Sequence, residues 1–463
     1  MFVWKTHGII LTVVNTSKRA NERNIHWKPK NTAPMSTTAL RFETLALHAG
    51  QPIDNTLSRG IPVYRTASYL FRNTEHAANL FALKELGNIY TRLMNPTTEV
   101  LEARMSELEG GAASVAVASG TAAIFNTIIT LAETGDNIVA SRNLYGGTYT
   151  QFDAILPKLG ITVTFVDPEK PEEFEQAINE RTRALYIETI SNPTLNYAPV
   201  SAIADVAHRN GLPLVVDATF TTPFLLRPIE HGADIVINSL TKWIGGHGSA
   251  IGGCITDAGR FNWAKGRHPL FTEPDANYHG LRWALDLPEA LAPIAFALRV
   301  RTVPLRNIGA CISPDNSWIF IQGLETLPLR MTKHSENAMT VATHLQKHPK
   351  VAWVRYPGLK GDPSYPAAAE DLKNGFGGMV VFGAQGGYDA AIKIIDSIRI
   401  FSHVANVGDA KSLILHPAST SHSQLTEEQQ RESGLSGDLI RLSIGLEHPL
   451  DLIKALDEVL ENS

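Results

Sequence analysis

The run Asn238-Ser239-Leu240-Thr241-Lys242-Trp243-Ile244-Gly245-Gly246-His247-Gly248 sets one lysine after two hydroxyl residues and before a series of glycines. It follows Asp234-Ile235-Val236-Ile237, an apolar stretch of the kind that forms a buried strand. A lysine amine at a strand end can condense with an aldehyde cofactor, and the hydroxyls of Ser239 and Thr241 can hydrogen-bond a phosphate. Glycines let the backbone approach a ligand where a side chain would collide. Taken alone, the commoner meaning of such a run is a surface lysine in a glycine-rich turn. Other segments bear on the choice. Leu214-Val215-Val216-Asp217 ends an apolar stretch with an acid. A buried carboxylate needs a partner, and a protonated pyridine nitrogen would be one; a cap on the following turn is the competing role. Ser119-Gly120-Thr121 opens an apolar helix after a short apolar strand, where free N–H groups suit a phosphate, although Ser and Thr are also ordinary caps. Tyr145, beside Gly146 and Gly147, could stack on an aromatic ring or pack in the core.

These residues must be carried by regular elements. Short apolar runs at 112–118, 137–141, 161–166, 184–188, 213–217 and 234–238 read as strands. Helical patterns lie between them at 99–109, 171–179 and 200–210, with a helix from Ser119 through Leu131 and a short turn after Thr222. The alternation argues for an α/β domain with a mainly parallel sheet covered on both faces, whose ligands sit at the carboxyl ends of the strands. Phe42 to Tyr69 reads as an extended arm or loop, and Phe261 to Ile321 as irregular. Trp318 to His348 looks helical, interrupted near Pro328. Strands at 378–382, 412–416 and 439–444, with helices at 388–397 and 449–460, form a smaller α+β module, and the boundary is placed near residue 320. There is no internal repeat or low-complexity tract.

A chain of 463 residues calls for more than one domain. With 44% hydrophobic and 19% charged residues it has the balance of a globular protein. A formal charge of −5 gives no reason to expect nucleic acid or an anionic membrane as partner. Two cysteines, Cys254 and Cys311, make no disulfide framework, so a reducing compartment is expected. No zinc-spaced cluster appears, and no metal is expected. No apolar run is long enough to span a bilayer. In residues 1–40, Lys5, Lys18, Arg19, Arg23, Lys28 and Lys30 face one acid, Glu22. That bias resembles an organellar transit segment. The favoured expectation is a disordered or mis-started extension, with Met35 as an alternative start and the ordered chain beginning near Phe42.

Several motifs stand in order along the chain: Tyr90-Thr-Arg-Leu-Met-Asn-Pro-Thr, Ser119-Gly-Thr-Ala-Ala, Tyr145-Gly-Gly-Thr, Glu188-Thr-Ile-Ser-Asn-Pro-Thr, Asp217-Ala-Thr-Phe, Ser239-Leu-Thr-Lys-Trp and Arg441-Leu-Ser-Ile-Gly. Together they resemble the Cys/Met-metabolism family of pyridoxal 5′-phosphate (PLP) enzymes, of fold type I. The likeness covers the chain from about Phe42 to its end. Within the family, Phe42-Glu-Thr-Leu-Ala-Leu-His-Ala-Gly-Gln, Asn406-Val-Gly-Asp-Ala-Lys-Ser-Leu-Ile-Leu-His-Pro-Ala-Ser-Thr and the segment around Asp275-Ala-Asn-Tyr-His-Gly-Leu are similar to the O-acetylhomoserine sulfhydrylases.

The resemblance implies a role for each matching residue. Lys242 would bind the cofactor's aldehyde and shuttle protons between Cα, C4′ and Cβ. Asp217 would pair with the pyridinium, and Gly120, Thr121, Ser239 and Thr241 would hold the phosphate. Tyr90 and Arg92 would reach the phosphate of a neighbouring subunit, with Tyr90 also near substrate, so the arm at 41–98 would contact that subunit in a homo-oligomer, usually a homotetramer. Tyr145 would stack on the ring and help the leaving group depart. Asn192 would bond the cofactor's 3-oxygen. Arg441, with Asn406, would clamp the substrate carboxylate. The domains would be a PLP-binding large domain at 99–320 and a C-terminal small domain at 321–463. Arg65 stands where the family more often has Gln, adding a charge near the expected entrance.

The implied reaction is γ-replacement on O-acetyl-L-homoserine by sulfide or methanethiol, in the cytoplasm, or in mitochondria if the basic extension is real. The alternative is γ-elimination, as in cystathionine or methionine γ-lyases. Asn406-Val407-Gly408, where cystathionine-processing relatives carry Ser-Leu-Gly, and the segment around Asp275 favour replacement. A catalytically silent binding protein on the same fold would be expected to lack Lys242, Asp217 or Arg441.

Overall fold

The computed structural model describes residues 40–52, 56–265, 267–423, 426, 428 and 434–463, so the basic N-terminal stretch lies outside the described residues. Seven strands form the larger sheet: β1 (Ala113–Val117), β2 (Asn137–Ser141), β3 (Thr162–Val166), β4 (Thr182–Glu188), β5 (Leu214–Asp217), β6 (Ile235–Ser239) and β7 (Gly253–Asp257). Their order is β1-β7-β6-β5-β4-β2-β3. β2 to β6 pair in parallel, and β7 runs antiparallel between β1 and β6.

Side chains alternate between the two faces with the period of two that a strand dictates. On β4, Leu185 and Ile187 enter one apolar cluster, and Ala184 and Tyr186 the other. On β5, Leu214 and Val216 part from Val215 in the same way. Both faces are covered, which is why these strands appear in the sequence as unbroken apolar runs. Each such Leu, Ile or Val contributes roughly 1.5–3 kcal/mol on burial. The strands therefore admit acids only at their carboxyl ends, where Glu188 and Asp217 stand in register.

The second sheet contains β8 (Val351–Arg355), β9 (Met379–Ala384), β10 (Ser402–His403), β11 (Leu413–Leu415) and β12 (Leu439–Ser443), in the order β10-β11-β12-β9-β8. Val380, Phe382, Ile414, Ile440 and Leu442 form a third core with the helices Leu327–Leu345, Gly387–Ser397 and Pro449–Leu460. The last helix buries Leu452, Ala455, Leu456 and Leu460, the stripe that its 3.6-residue period requires. The expected combination of a mainly parallel sheet with a smaller α+β part is the one found. Among the described residues no helix is long and apolar enough to cross a membrane.

Three expectations are corrected. The stretch from Phe42, taken as extended, begins with the helix Phe42–His48. Leu45, Ala46 and Ala49 are its buried face, a pattern too short to stand out in sequence. Strand β7 was not expected, because Gly-Cys-Ile-Thr-Asp lacks an apolar run; its Thr256 is accommodated by a hydroxyl contact to Ser114 at 2.9 Å. Between Phe261 and Ile321, taken as irregular, the chain is helical over Ala295–Val300, turns through a π-helical stretch at Arg301–Leu305 and continues at Arg306–Ile308.

The first helix ends against a buried arginine. Arg104, 0% exposed, donates from Nε to Ala49 O at 3.0 Å and from Nη2 to Leu47 O at 3.3 Å. These are carbonyls that a helix end leaves without partners. Replacing Arg104 by Ala strands them in a buried site, at a cost of about 2–4 kcal/mol. Urea unfolding should show a lower midpoint at unchanged slope, and Arg104→Lys should recover less than half of the loss, because an ammonium cannot fork.

Candidate active site

A cavity of about 400 Å³ opens at the carboxyl ends of β1, β4, β5 and β6, the position where parallel sheets bind ligands. Gly120, Thr121, Tyr145, Asn192, Asp217, Ser239, Thr241, Lys242, Asn406 and Arg441 all line it. Asn406 and Arg441 come from the second sheet and its loops, the remainder from the first.

Lys242 follows β6, and its Nζ donates to Asn406 Oδ1 at 2.7 Å. Burial, and then the positive charge of Arg441, pull the amine down to about 8. At pH 7 roughly one such amine in ten is neutral, against about one in three thousand for an ordinary lysine. Only the neutral amine attacks an aldehyde or takes a proton, so burial and the Arg441 charge together make it on the order of 300-fold more available. The contact with Asn406 depends on Gly408. This residue lies at φ +78°, and a Cβ there would stand 2.6 Å from Trp243 N. Its N–H donates to Ser443 Oγ at 2.9 Å. Only glycine meets both the left-handed backbone and the close approach, so it lets the Asn406 turn lie directly on the lysine segment.

Asp217 ends β5. Its Oδ1 accepts from Thr219 N at 2.9 Å, and no cation is bonded to it among the described residues. Beside it in register, Glu188 ends β4 and accepts from Tyr145 N at 2.7 Å. Burial first, and the Asp217 charge second, lift Glu188 well above the carboxylate range; Asp217 is lifted chiefly by burial. Two adjacent carboxyls do not both ionise readily, and of the two Glu188 is pushed further toward its protonated form, by burial and by the Asp217 charge. Asp217, half-buried and with no cation bonded to it among the described residues, suits a protonated pyridine nitrogen.

The opposite end suits a phosphate. The helix Gly120–Leu131 presents its free N–H groups here. A Cβ on Gly120 would sit 2.7 Å from Ser239 Cβ and close this end. The cap is Ser119, whose Oγ accepts from Ala122 N at 3.1 Å, while Thr121 Oγ1 lies 3.1 Å from Ser119 Oγ. Thr241 differs from the other hydroxyls. Its Oγ1 donates to Gly252 O at 3.2 Å and accepts from Gly252 N at 3.1 Å, so its proton is used within the protein.

Arg441 projects from β12 and is 4% exposed. Its Nη1 donates to Asn192 Oδ1 at 3.0 Å and its Nη2 to Asn406 O at 3.4 Å. Burial pulls the guanidinium down to about 10. A buried fork with only amide partners fits a planar carboxylate ligand. Asn192 meets Arg441 through its oxygen, which leaves its amide N–H groups for a ligand. An unpaired buried acid, a helix N-terminus beside hydroxyls and a desolvated lysine together match the charges of PLP.

Tyr90 and Arg92 do not reach this cavity. Tyr90 is 42% exposed, and the Arg92 guanidinium lies 5.2 Å from its ring centre on the surface. Arg65 pairs with Asp315 at 2.6 Å, which offsets the charge expected near the entrance. Sequence reasoning passed over Glu188 and Thr219. Glu188 had a usable signal: Ala184-Leu185-Tyr186-Ile187-Glu188 ends an apolar strand with an acid, as Leu214 to Asp217 does. Phe220 and Ile190, which stand inside the Asp217 and Glu188 motifs without a role of their own there, also line the cavity, as does Ile251, which no motif marks.

The depressed lysine has a measurable consequence. The rate at which the apoenzyme takes PLP into a borohydride-trappable bond should rise with pH and level off above about 8. An ordinary lysine would still be rising there, toward about 10.4. Arg441→Gln removes one depressing charge and should move the midpoint upward; an unmoved midpoint would remove Arg441 as a cause.

A family model described as Cys/Met metabolism PLP-dependent enzyme matches residues 43–461. Over 426 residues the chain is 51% identical to an O-acetyl-L-homoserine sulfhydrylase of Leptospira meyeri, spanning 91% of this chain and 96% of that one. It is 48% identical over 431 residues to a homocysteine synthase of Schizosaccharomyces pombe, spanning 92% and 100%. A crystal structure of a Campylobacter jejuni protein assigned as an O-acetylhomoserine (thiol)-lyase, carrying N′-pyridoxyl-lysine-5′-monophosphate, superposes with a TM-score of 0.88 at 40% identity over 91% of this chain and 100% of that one. With the family pattern running through residues 43–461 and the fold type I architecture shared, the chain belongs to the Cys/Met metabolism family of PLP-dependent enzymes.

Proposed function

We propose that this chain converts O-acetyl-L-homoserine and sulfide into L-homocysteine and acetate, as a transferase of methionine and cysteine biosynthesis; methanethiol in place of sulfide gives methionine. The observation that carries the reading is the meeting of Lys242, Asp217 and Arg441 in one cavity, in a chain half identical to a sulfhydrylase of O-acetylhomoserine. In net terms a Cγ–O bond to acetate breaks and a Cγ–S bond to sulfide forms. PLP, when bound, would supply the sink for the electron pairs left behind when protons leave the substrate's Cα and Cβ.

The chain's own residues do the rest. Arg441 holds the substrate's α-carboxylate in its fork and so fixes Cα relative to Lys242. Lys242, neutral in a good fraction of molecules near neutral pH, takes the proton from Cα, gives it up again, and, neutral once more, takes one from Cβ. Asn406 Oδ1, 2.7 Å from Nζ, orients that amine between transfers. Asp217 keeps a pyridine nitrogen protonated. Tyr145 faces the cavity where a ring would stack, and Asn192 offers its amide N–H groups to a ring oxygen. Gly120, Thr121 and Ser239 hold the phosphate, with Thr241 in a supporting place.

The same reading puts Tyr90 and Arg92 on the phosphate of a neighbouring subunit. Their surface position, away from their own cavity, supports a homo-oligomer and agrees with a homotetramer. The arm at 41–98, the division near residue 320 and a cytoplasmic location belong to the same proposal.

Purified protein loaded with PLP should yield homocysteine and acetate in equal amounts from O-acetyl-L-homoserine and sulfide, and little 2-oxobutanoate from cystathionine or methionine alone. Lys242→Ala should lower turnover by about a thousandfold or more. Arg441→Lys should raise KM for O-acetylhomoserine by about tenfold, since an ammonium cannot match the fork. Abundant 2-oxobutanoate without homocysteine would overturn replacement in favour of elimination.

A further inference from the structure

Behind Lys242 stands a charged residue that the chemistry above does not use. Arg330 lies in the helix Leu327–Leu345 and is 6% exposed. Its Nη1 donates to Trp243 O at 2.5 Å. Its Nη2 donates to Ile244 O at 3.1 Å and to Gly323 O at 2.7 Å. Its Nε donates to Thr326 Oγ1 at 3.2 Å. One fork thus fastens the two residues after Lys242 to the helix Pro314–Glu325 and to the start of its own helix.

The turn is shaped to admit it. A Cβ at Gly246 would lie 2.7 Å from Arg330 Cζ. Gly246 also accepts from Ala410 N at 2.8 Å, in the loop that carries Asn406. The turn after Lys242 therefore meets the guanidinium on one side and the loop of Asn406 on the other. Burying a guanidinium without an acid is unfavourable, and an apolar side chain of similar volume often serves stability as well or better. What an apolar side chain cannot do is grip three carbonyl oxygens in fixed directions.

We propose that Arg330 is a positioning residue for the reaction: by fixing the carbonyls of Trp243 and Ile244, it sets where the Lys242 amine stands relative to Asn406 and the reacting carbons. The proposal rests on Lys242 being the reactive lysine. A displacement on the order of 1 Å at a reacting group is enough to cost up to about a hundredfold in rate.

The test uses the full chain with Arg330→Lys and Arg330→Met. Both should lower kcat by about tenfold to a hundredfold, and should leave KM for O-acetylhomoserine within about twofold, because Arg441 is untouched. In the apoenzyme, the pH midpoint for trapping PLP on Lys242 should move up from about 8, as the loosened amine regains water. Methylguanidinium should restore part of the loss in Arg330→Ala but not in Lys242→Ala. Thr326→Val, which removes the Nε acceptor and the hydroxyl's long contact to Gly323 O at 3.5 Å while leaving the guanidinium's bonds to Trp243 and Ile244, should show a smaller change in the same direction if the Arg330 variants do not fold. Variants that melt earlier yet keep the wild-type kcat and pH midpoint would overturn the proposal, leaving Arg330 a structural residue. If wild-type protein traps PLP but makes no homocysteine, the sulfhydrylase reading falls and the pH midpoint alone decides on Arg330.

Discussion

The constraint on which the site depends is desolvation. Lys242, Asp217 and Arg441 share one cavity, and each is displaced from its ordinary value first by burial. Their bonded partners among the described residues are amides, hydroxyls and a backbone N–H, without a counter-ion. Such an arrangement is unfavourable by itself, and only a well-packed surround maintains it. The doubly covered sheet supplies that surround. Its apolar faces exclude water up to the strand ends, and acids appear where the apolar run stops. A cofactor with a cationic ring nitrogen and an aldehyde answers Asp217 and Lys242, and a planar carboxylate answers Arg441.

The two sheets divide the work. The larger one ends in fixed points: the helix N-terminus at Gly120, the acids of β4 and β5, and the lysine after β6. The second one supplies Arg441 on β12 and Asn406 in the loop before β11, both of which line the cavity. Small residues bring the two together. Gly408 lets the Asn406 turn lie on Trp243, and Gly246 makes space for Arg330. The distance between Nζ and Oδ1 is therefore set by backbone contacts on both sides of the lysine, not by the two side chains alone.

Much of this was legible in the chain. Strands buried on both faces announce themselves as apolar runs, and the acid or hydroxyl that ends each run marks the ligand side. Asp217, Ser239 and Lys242 were found by that rule, and Glu188 obeys it equally. What escaped had a physical reason. β7 carries glycine and threonine, its Thr256 hydroxyl meeting Ser114 on β1, so it shows no apolar run. The helix at Phe42 is too short for its period to be heard above the surrounding loop residues. The commitment of the Thr241 hydroxyl to Gly252 depends on a backbone eleven positions away. The offsetting of Arg65 by Asp315 depends on two residues 250 positions apart. Neither leaves a local trace.

The contacts that complete the site also have an order in time. Lys242 and Asn406 are separated by 164 positions, and Arg441 and Asn192 by 249. A chain made from its N-terminus exposes the lysine and both acids of the larger sheet well before β12 exists. Until β12 docks, the amine lacks Asn406 and the charge of Arg441. Loop closures of this length come late in folding. The share of the lysine's depression that the Arg441 charge causes, and the Asn406 contact that orients the amine, therefore arrive only with the final assembly of the C-terminal part.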